Sequence, residues 1–487
     1  MQKICFVILM QVKITIVYRN EENMSVFLKD DKLAHIYEMG LGNIAQYISI
    51  DPDGKIKHIQ ISNFFEKTDD LKELVTILIE SSRSGAVNIR SFSPTIMKGN
   101  KLVYNKKIGD IEDIVSQVNI NCREGKHSII NENIDVNDGG VSGVVLGDII
   151  EFSPKDTPKC VDKEGVCLLE KKLGYHVLKT VYGFYPELSF EEEYRVEFSI
   201  HPNREGVKHA HTIVWEYELF EKTKNSFKIT WPNNFSKFIG DKTFGLIIAD
   251  YLGLNVPFTT VIAREVAPFM FGKKTGLYEK WIRTCPIVKE SGKYYTGSQW
   301  TDPFVLMQSE ELKGENPINI AAILSQDAVD AKYSGGAIIS ESEQDDIIEG
   351  VQGTGDNFMI GKAFNNVLPD NVKEKVKNVI GILRTHNNLI GNVSIEWVYD
   401  GNEIWIVQLN QLKHIGNGNI IVQGNPMYYK QFHVEMGLES LRDVIKSLKN
   451  ETVGIELVGN VGITSHFGDL LRQANIPSRM VPSSNDD

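Results

Sequence analysis

The stretch NVSIEWVYDGNEIWIVQLNQ, from Asn392 to Gln411, reads as two strands around a turn. Asp400-Gly401-Asn402 between two runs rich in β-branched and aromatic residues is a strong hairpin signal. Side chains alternate across a strand, so the length of the connection decides whether Glu396 and Gln408 share a face. A two-residue connection puts them on opposite sides. A three-residue loop over Asp400–Asn402 sets Ser394 opposite Gln408 and Glu396 opposite Ile406, which makes the acid and the amide diagonal neighbours on one face. Such neighbours sit about 7–8 Å apart, near enough to converge on one ion. Mg²⁺ takes oxygen ligands, one or two from protein and the rest from phosphates and water. The expectation is an odd-length loop with Glu396 and Gln408 as the metal pair. A glutamate and a glutamine also suit an ordinary solvated strand face, and the hairpin alone does not choose.

Working upstream, KFIGDKTFGLIIADYLGLNVPFTTVIAR (237–264) reads as turn, helix, stop and strand. Leu246, Ile247 and Leu252 form an apolar face, Gly253 suits the helix end and Pro257 blocks continuation. Lys242 sits at the helix start, where charge and free backbone N–H groups together suit a phosphate. QDAVDAKYSGGAIISE (326–341) contains a Ser-Gly-Gly turn before a strand, and EGVQGTGDNFMIG (349–361) is a glycine-rich loop with Glu349 and Asp356. Val372, Val376, Val379, Ile380 and Leu383 mark an amphipathic helix with Pro369 and Asp370 as its cap candidates.

Downstream, GIELVGNVGITSHFGDLLRQANIPSRMV (454–481) reads as strand, loop, helix and strand. His466 falls at the helix N-terminus beside Thr464 and Ser465, where a histidine can attack a phosphoryl group and the product's charge can meet backbone N–H groups. The bland alternative is an N-cap Ser465 followed by an unremarkable histidine. Gly416–Pro426, rich in Gly and Asn, suits a flexible hinge or any loop.

The N-terminal part alternates strand-like and helix-like pieces. Ile4–Met10 and Val12–Tyr18 read as strands, and Leu71, Leu74, Val75 and Leu78 as a helix after the cap candidate Thr68. Gly139, Gly140 and Gly143 suit a tight turn before a strand at Asp148–Phe152. Residues 190–220 form a hairpin around Asn203–Gly206. In it His209 and His211 share a face, and a metal site would need further ligands.

The chain has 487 residues, with 52 Lys+Arg against 64 Asp+Glu and a net charge of -12. That acidity argues against general nucleic-acid or anionic-membrane binding. No run is long and apolar enough to span a bilayer. Five scattered cysteines make neither a disulfide framework nor a zinc site and fit a reducing, cytoplasmic setting.

Taken in order, these segments resemble the ATP-binding domain of the pyruvate phosphate dikinase and phosphoenolpyruvate synthase family, an ATP-grasp fold. The family's opening Gly-Gly-Lys and Leu-Gly-x-Pro-Val-Pro run is similar to Gly240, Lys242, Leu252, Gly253, Val256 and Pro257. Its arginine strand is similar to Trp281-Ile282-Arg283-Thr284, its Gln…Ser-Gly-Val segment to Gln326–Ala337, and its glycine-rich loop to Glu349–Gly361. Its closing Asp-Ile-Glu-Trp…Gln-x-Arg hairpin is similar to Ser394–Trp397 and Gln408–Asn410. The likeness covers about 235–411. Gly462-Ile463-Thr464-Ser465-His466, with Arg472 and Ile476-Pro477, resembles the family's mobile phosphohistidine domain.

The resemblance implies an α+β or α/β multidomain chain. It consists of an α/β N-terminal domain at 1–190, a central ATP-grasp domain at 191–415, and a small α/β swivelling-type, phosphohistidine-like segment at 416–487. It implies that Lys242 and Arg283 bind ATP phosphates, with Arg283 also catalytic, and that Glu349 and Gln408 contact the nucleotide. Glu396 and Gln408 would hold Mg²⁺, and His466 would carry a phosphoryl group. Two positions depart from the pattern. Ser394 stands where the family has Asp, and Asn410 where it has a phosphate-binding Arg, a charge that another cation such as Lys413 or His414 would have to supply. No room is left for the family's pyruvate-binding barrel of about 250 residues, so pyruvate is not the expected acceptor. The implied activity is an ATP-dependent phosphotransfer of the dikinase type to an unidentified small-molecule or protein acceptor. The alternatives are an ATP-grasp ligase that forms an acyl phosphate directly, with His466 structural, or a nucleotide-binding module without catalysis.

Overall fold

The computed structural model describes residues 28–481 apart from 65–67, 94–100, 159–162, 192, 220–227, 315–317, 341, 361–366, 414–415, 417 and 449–452. The fold is α+β: helices pack against sheets that are antiparallel except at the C-terminal end. The chain divides into two compact units, Met1–Val161 with Pro186–Thr223, and Asp162–Tyr185 with Lys224–Asp487. The breaks expected at 190 and 415 are not the borders of these units. The hairpin of Tyr194–Glu205 and Ala210–Leu219 lies in the first, and the C-terminal segment lies in the second.

In the first unit, five strands run antiparallel in the order Ile56–Gln60, Tyr47–Ile50, His127–Glu132, Ala86–Phe92, Leu102–Lys107. Leu74, Val75, Leu78, Ile114 and Val118, from helices Leu71–Ser81 and Ile111–Arg123, are buried in one core with Ile48, Ile89 and Ile130 from the sheet. The cap of the first helix is Asp70, whose side chain accepts from Lys72 N, and not Thr68, whose hydroxyl instead donates to Glu73. Gly143 lies within strand Val141–Leu146 and not in a turn, because a Cβ there would stand 2.0 Å from the Glu151 carbonyl. The hairpin turn is Gly206–His209, later than expected, so His209 sits in the turn at φ 46 and does not share a strand face with His211. His201 is spent on Asp138 and Ser199, and His209 on Ser62, so these histidines form no metal cluster among the described residues. The expected strands at 4–10 and 12–18 lie outside the described residues.

The second unit holds three sheets. One has the order Phe269–Phe271, Thr259–Ala263, Ile320–Asp327, Lys280–Pro286, Thr296–Gly297. The next has the order Ile347–Gln352, Tyr333–Ile339, Val393–Tyr399, Ile404–Gln411. Ser334-Gly335-Gly336 is therefore strand, not turn. Both glycines are there for close approach: a Cβ on Gly335 would stand 2.0 Å from the Glu349 carbonyl, and one on Gly336 2.6 Å from Thr464 Cβ. Helix Asp241–Tyr251 packs on the last strand of this sheet, and Gly245 lets it approach so closely that a Cβ would stand 2.0 Å from the Leu409 carbonyl. The third sheet is C-terminal. Tyr428–His433, Val453–Val458 and Ser478–Val481 run parallel, and Ile420–Val422 pairs antiparallel with the last of them. The segment 416–426, expected as a hinge, thus contributes a strand. Helix His466–Ala474 buries Phe467, Leu470 and Leu471 against this sheet.

The Asn392–Gln411 hairpin corrects the expected loop. Tyr399 pairs with Ile404, so the connection is the four residues Asp400–Glu403, with Asp400 Oδ1 accepting from the amides of Asn402 and Glu403. An even loop alone would send Glu396 and Gln408 to opposite faces. A bulge restores the parity: Trp397 pairs with Ile406 and Glu396 with Gln408, which leaves Val407 as the extra residue. The two are then directly opposite rather than diagonal.

Candidate functional site

The bulge builds a row across the second sheet. Glu349 pairs with Gly336, Gly336 with Glu396, and Glu396 with Gln408. Residues paired in this way share a face, so one line of side chains reads Glu349, a gap at Gly336, Glu396, Gln408. The next pair on that face is Ser394 with Asn410.

The gap at Gly336 is filled from the C-terminal segment. Thr464 sits over it, and the Glu349 carboxylate accepts from Ile463 N at 3.0 Å, Thr464 N at 2.8 Å and the Thr464 hydroxyl at 2.6 Å. The loop carrying His466 is held on the row by its own backbone. Glu349 lines neither cavity described below. It is occupied by the histidine loop, whereas the sequence suggested the nucleotide.

Beside the row opens a cavity of about 500 Å³ lined by Lys242, Arg283, Lys289, Asp356, Glu396, Gln408, Asn410, His466 and Asp469, among others. A second, smaller cavity of about 80 Å³ shares Trp281, Arg283, Asp356, Met359 and Glu396 with it and is lined further by Gln326, Asp327, Val329, Val398 and Val407. The two join at Trp281, Arg283, Asp356, Met359 and Glu396 into one cleft.

Each charged side chain is placed by a local feature. Gly240, at φ 95, joins helices Asn234–Ile239 and Asp241–Tyr251 and sets Lys242 in the first turn of the second. The Lys242 ammonium donates to the Thr284 carbonyl at 3.3 Å, its one side-chain hydrogen bond among the described residues, and burial lowers its pKa, with Arg283 and Lys289 adding to the effect. Arg283 projects from its strand with Nη1 3.6 Å from Glu396 Oε2. Burial raises the Asp241 carboxyl to about 6 despite a bond from Ser236. Burial also lowers the pKa of His466 more than Glu396 and Asp469 raise it, which favours the neutral imidazole.

Four residues lining the larger cavity carry a buried polar atom with no hydrogen-bond partner: Asp241 Oδ2, Arg283 Nε, Thr284 Oγ1 and His466 Nδ1. Glu396 makes no hydrogen bond among the described residues. Its carboxylate, ion-paired with Arg283 at Oε2, and the buried Gln408 amide set oxygens side by side, which suits a hard divalent cation. Lys413 is exposed and lines neither cavity, and His414 lies outside the described residues. The sequence missed Lys289, Asp469 and Gly336, because nothing local marks a charged loop residue or a strand glycine as facing a site.

No protein-family profile matches the chain, and no curated protein does. Among solved structures it is similar to the VanG D-Ala:D-Ser ligase of Enterococcus faecalis, at 12% identity and TM-score 0.23, over 36% of this chain and 52% of that one. It is similar to the macrocyclase MdnB of Microcystis aeruginosa MRC at 13% and 0.22, over 38% and 55%. It is also similar to a RiPP-associated ATP-grasp ligase of Chryseobacterium gregarium at 13% and 0.22, over 36% and 54%. The matches span about half the length of those structures, and a likeness so partial leaves fold family and chemistry to be argued from the residues.

Proposed function

We propose that the second unit is an ATP-grasp-type nucleotide-binding fold that transfers a phosphoryl group from ATP to His466 and from there to an acceptor. The observation that carries this reading is convergence: Lys242, Arg283, Glu396, Gln408 and His466 come from separate segments and line one cavity. The base and ribose stack beside Trp281 and Val398, and the phosphates lie against Lys242 and Arg283, whose unmet donors suit anionic oxygens. Glu396 and Gln408 would hold Mg²⁺, which supplies charge neutralisation on the phosphate oxygens when bound.

Neutral His466 has a lone pair for attack. A new N–P bond forms at the β-phosphorus, the bond from that phosphorus to the oxygen bridging to the α-phosphate breaks, and AMP leaves. The terminal phosphate is then lost to water as inorganic phosphate, which leaves phosphohistidine. ATP labelled separately at the β and γ positions tests this. The protein should take up β label as an acid-labile adduct, release AMP and phosphate, and take up none as His466→Asn.

A second reading is direct transfer from ATP to a carboxylate, with His466 a fixed part of the wall. The three bonds from the histidine loop to Glu349 favour it, since they tie the loop down. ADP as product, with no label on the protein, would select it.

A further inference from the structure

We propose that Lys289 contacts the phosphoryl group in transit, exchanging its partner Asp469 for that group. The proposal rests on the histidine-transfer reading above. Lys289 lies in the loop after strand Lys280–Pro286 and lines the cavity together with His466 and Asp469. Its Nζ is 3.4 Å from Asp469 Oδ2, and Asp469 lies one helical turn after His466. The same loop runs along the imidazole: a Cβ on Gly292 would stand 3.4 Å from His466 Cδ2. Gln473 Nε2 donates to Ser291 Oγ at 3.1 Å and Arg442 donates to the Ser291 carbonyl, which fixes the loop beside the ring.

Three features make Lys289 the cation for this role. Asp469 has a second cation, Arg472, at 3.1 Å, so Lys289 can leave without stranding a buried carboxylate. The hairpin supplies no positive charge, since its positions beside Glu396 and Gln408 are Ser394 and Asn410. Arg283 is paired with Glu396 and Lys242 donates to the Thr284 carbonyl, so each has a partner other than the phosphoryl group. A transferring phosphoryl group spreads its charge over three oxygens and is stabilised by positioned cations. The lysine keeps its protons throughout; only the N–P bond formed and the P–O bond broken change.

The test is single-turnover uptake of β label by the full chain. Lys289→Ala should slow uptake about 10²- to 10³-fold, the usual loss when one donor to a developing charge is removed. Added methylammonium should restore part of the rate, and Lys289→Arg should retain most of it. Gln473→Ala, which loosens the same loop without touching the cation, should label at nearly the wild-type rate. Three results would overturn the proposal: Lys289→Ala labelling like wild type, Gln473→Ala slowed as much as Lys289→Ala, or no rescue by the amine. Wild-type protein that turns over ATP without acquiring label would overturn the histidine reading and this proposal together, and so is distinguishable from failure of the lysine alone.

Discussion

Gly336→Ala isolates the docking of the histidine loop from everything else the sheet does. Gly336 does not have a positive φ, so the backbone accepts alanine, and in a strand interior alanine is the better residue by roughly 0.5–1 kcal/mol. The added Cβ would stand 2.6 Å from Thr464 Cβ and 2.7 Å from its hydroxyl. Carbon atoms in contact normally sit about 3.5–4.0 Å apart, so the loop must retreat by roughly 1 Å. The Thr464 bonds to Glu349, now 2.6 and 2.8 Å, would then pass the useful hydrogen-bond range. Overpacking of this kind costs about 1–3 kcal/mol, or roughly 5- to 150-fold in the docking equilibrium. Amide hydrogen exchange at Ile463 and Thr464 should accelerate by that factor, while the amides of strand Val393–Tyr399 keep their protection. Equal exchange at Ile463 and Thr464 in variant and wild type would refute the placement of the loop over Gly336.

Other outcomes follow from the same geometry. Lys242→Ala and Arg283→Ala should each weaken ATP binding by about 1.5–3 kcal/mol, as expected for a lost charge-assisted contact; unchanged calorimetric affinity in both would remove the nucleotide from this cavity. Glu396→Gln deletes charge at nearly constant volume, and should leave the hairpin folded while cutting Mg²⁺-dependent turnover by more than about 100-fold, beyond the loss from outer-shell changes. A Mg²⁺ titration with an unaltered midpoint would contradict it. In the first unit, burial raises the Glu132 carboxyl to about 7, although Gln46 donates to both of its oxygens. Because its folded pKa lies above the unfolded value, its stabilisation is present in full below pH 4.5 and is lost as pH rises through about 7. The amount is at most about 3 kcal/mol. Glu132→Gln should lose less Tm than wild type between pH 5 and pH 7.5, and parallel Tm–pH curves would be the contrary result.

Elements whose cause is local were legible in the sequence. The apolar period of Val372–Leu383 becomes helix Asp370–Thr385, and the Asp400-Gly401-Asn402 turn does join two strands. The shared face of Glu396 and Gln408 was legible only through a loop of the wrong length. Its true cause is the bulge at Val407, next to which Ile406 N donates to the Asn255 carbonyl at 2.7 Å. That partner is far off in sequence, and no local signal announces it. Gly335 and Gly336 read as a turn because glycine marks turns. Here they are strand residues that make room for the Glu349 carbonyl and for Thr464, contacts the fold creates. Lys289 was invisible for the same reason: its meaning lies in Asp469 and His466, which a loop lysine cannot announce.

The unmet polar atoms of the larger cavity matter for their chemistry. A buried polar group without a partner costs about 1–3 kcal/mol, and the described residues hold others away from this cavity, at Ser49, Trp397 and Arg442 among them. Here Asp241 Oδ2, Arg283 Nε, Thr284 Oγ1 and His466 Nδ1 all belong to residues around one cavity. Their chemistry is also mixed in a particular way. The guanidinium and the hydroxyl can donate, Lys242 keeps most of its donor capacity, and Glu396, paired at one oxygen with Arg283, stands beside the Gln408 amide. A purely anionic ligand would satisfy the first set and be repelled by Glu396. A purely cationic one would do the reverse. A polyphosphate carrying a divalent cation would satisfy both at once, and the His466 imidazole lining the same cavity would then lie within the reach of its phosphorus that the proposed transfer requires.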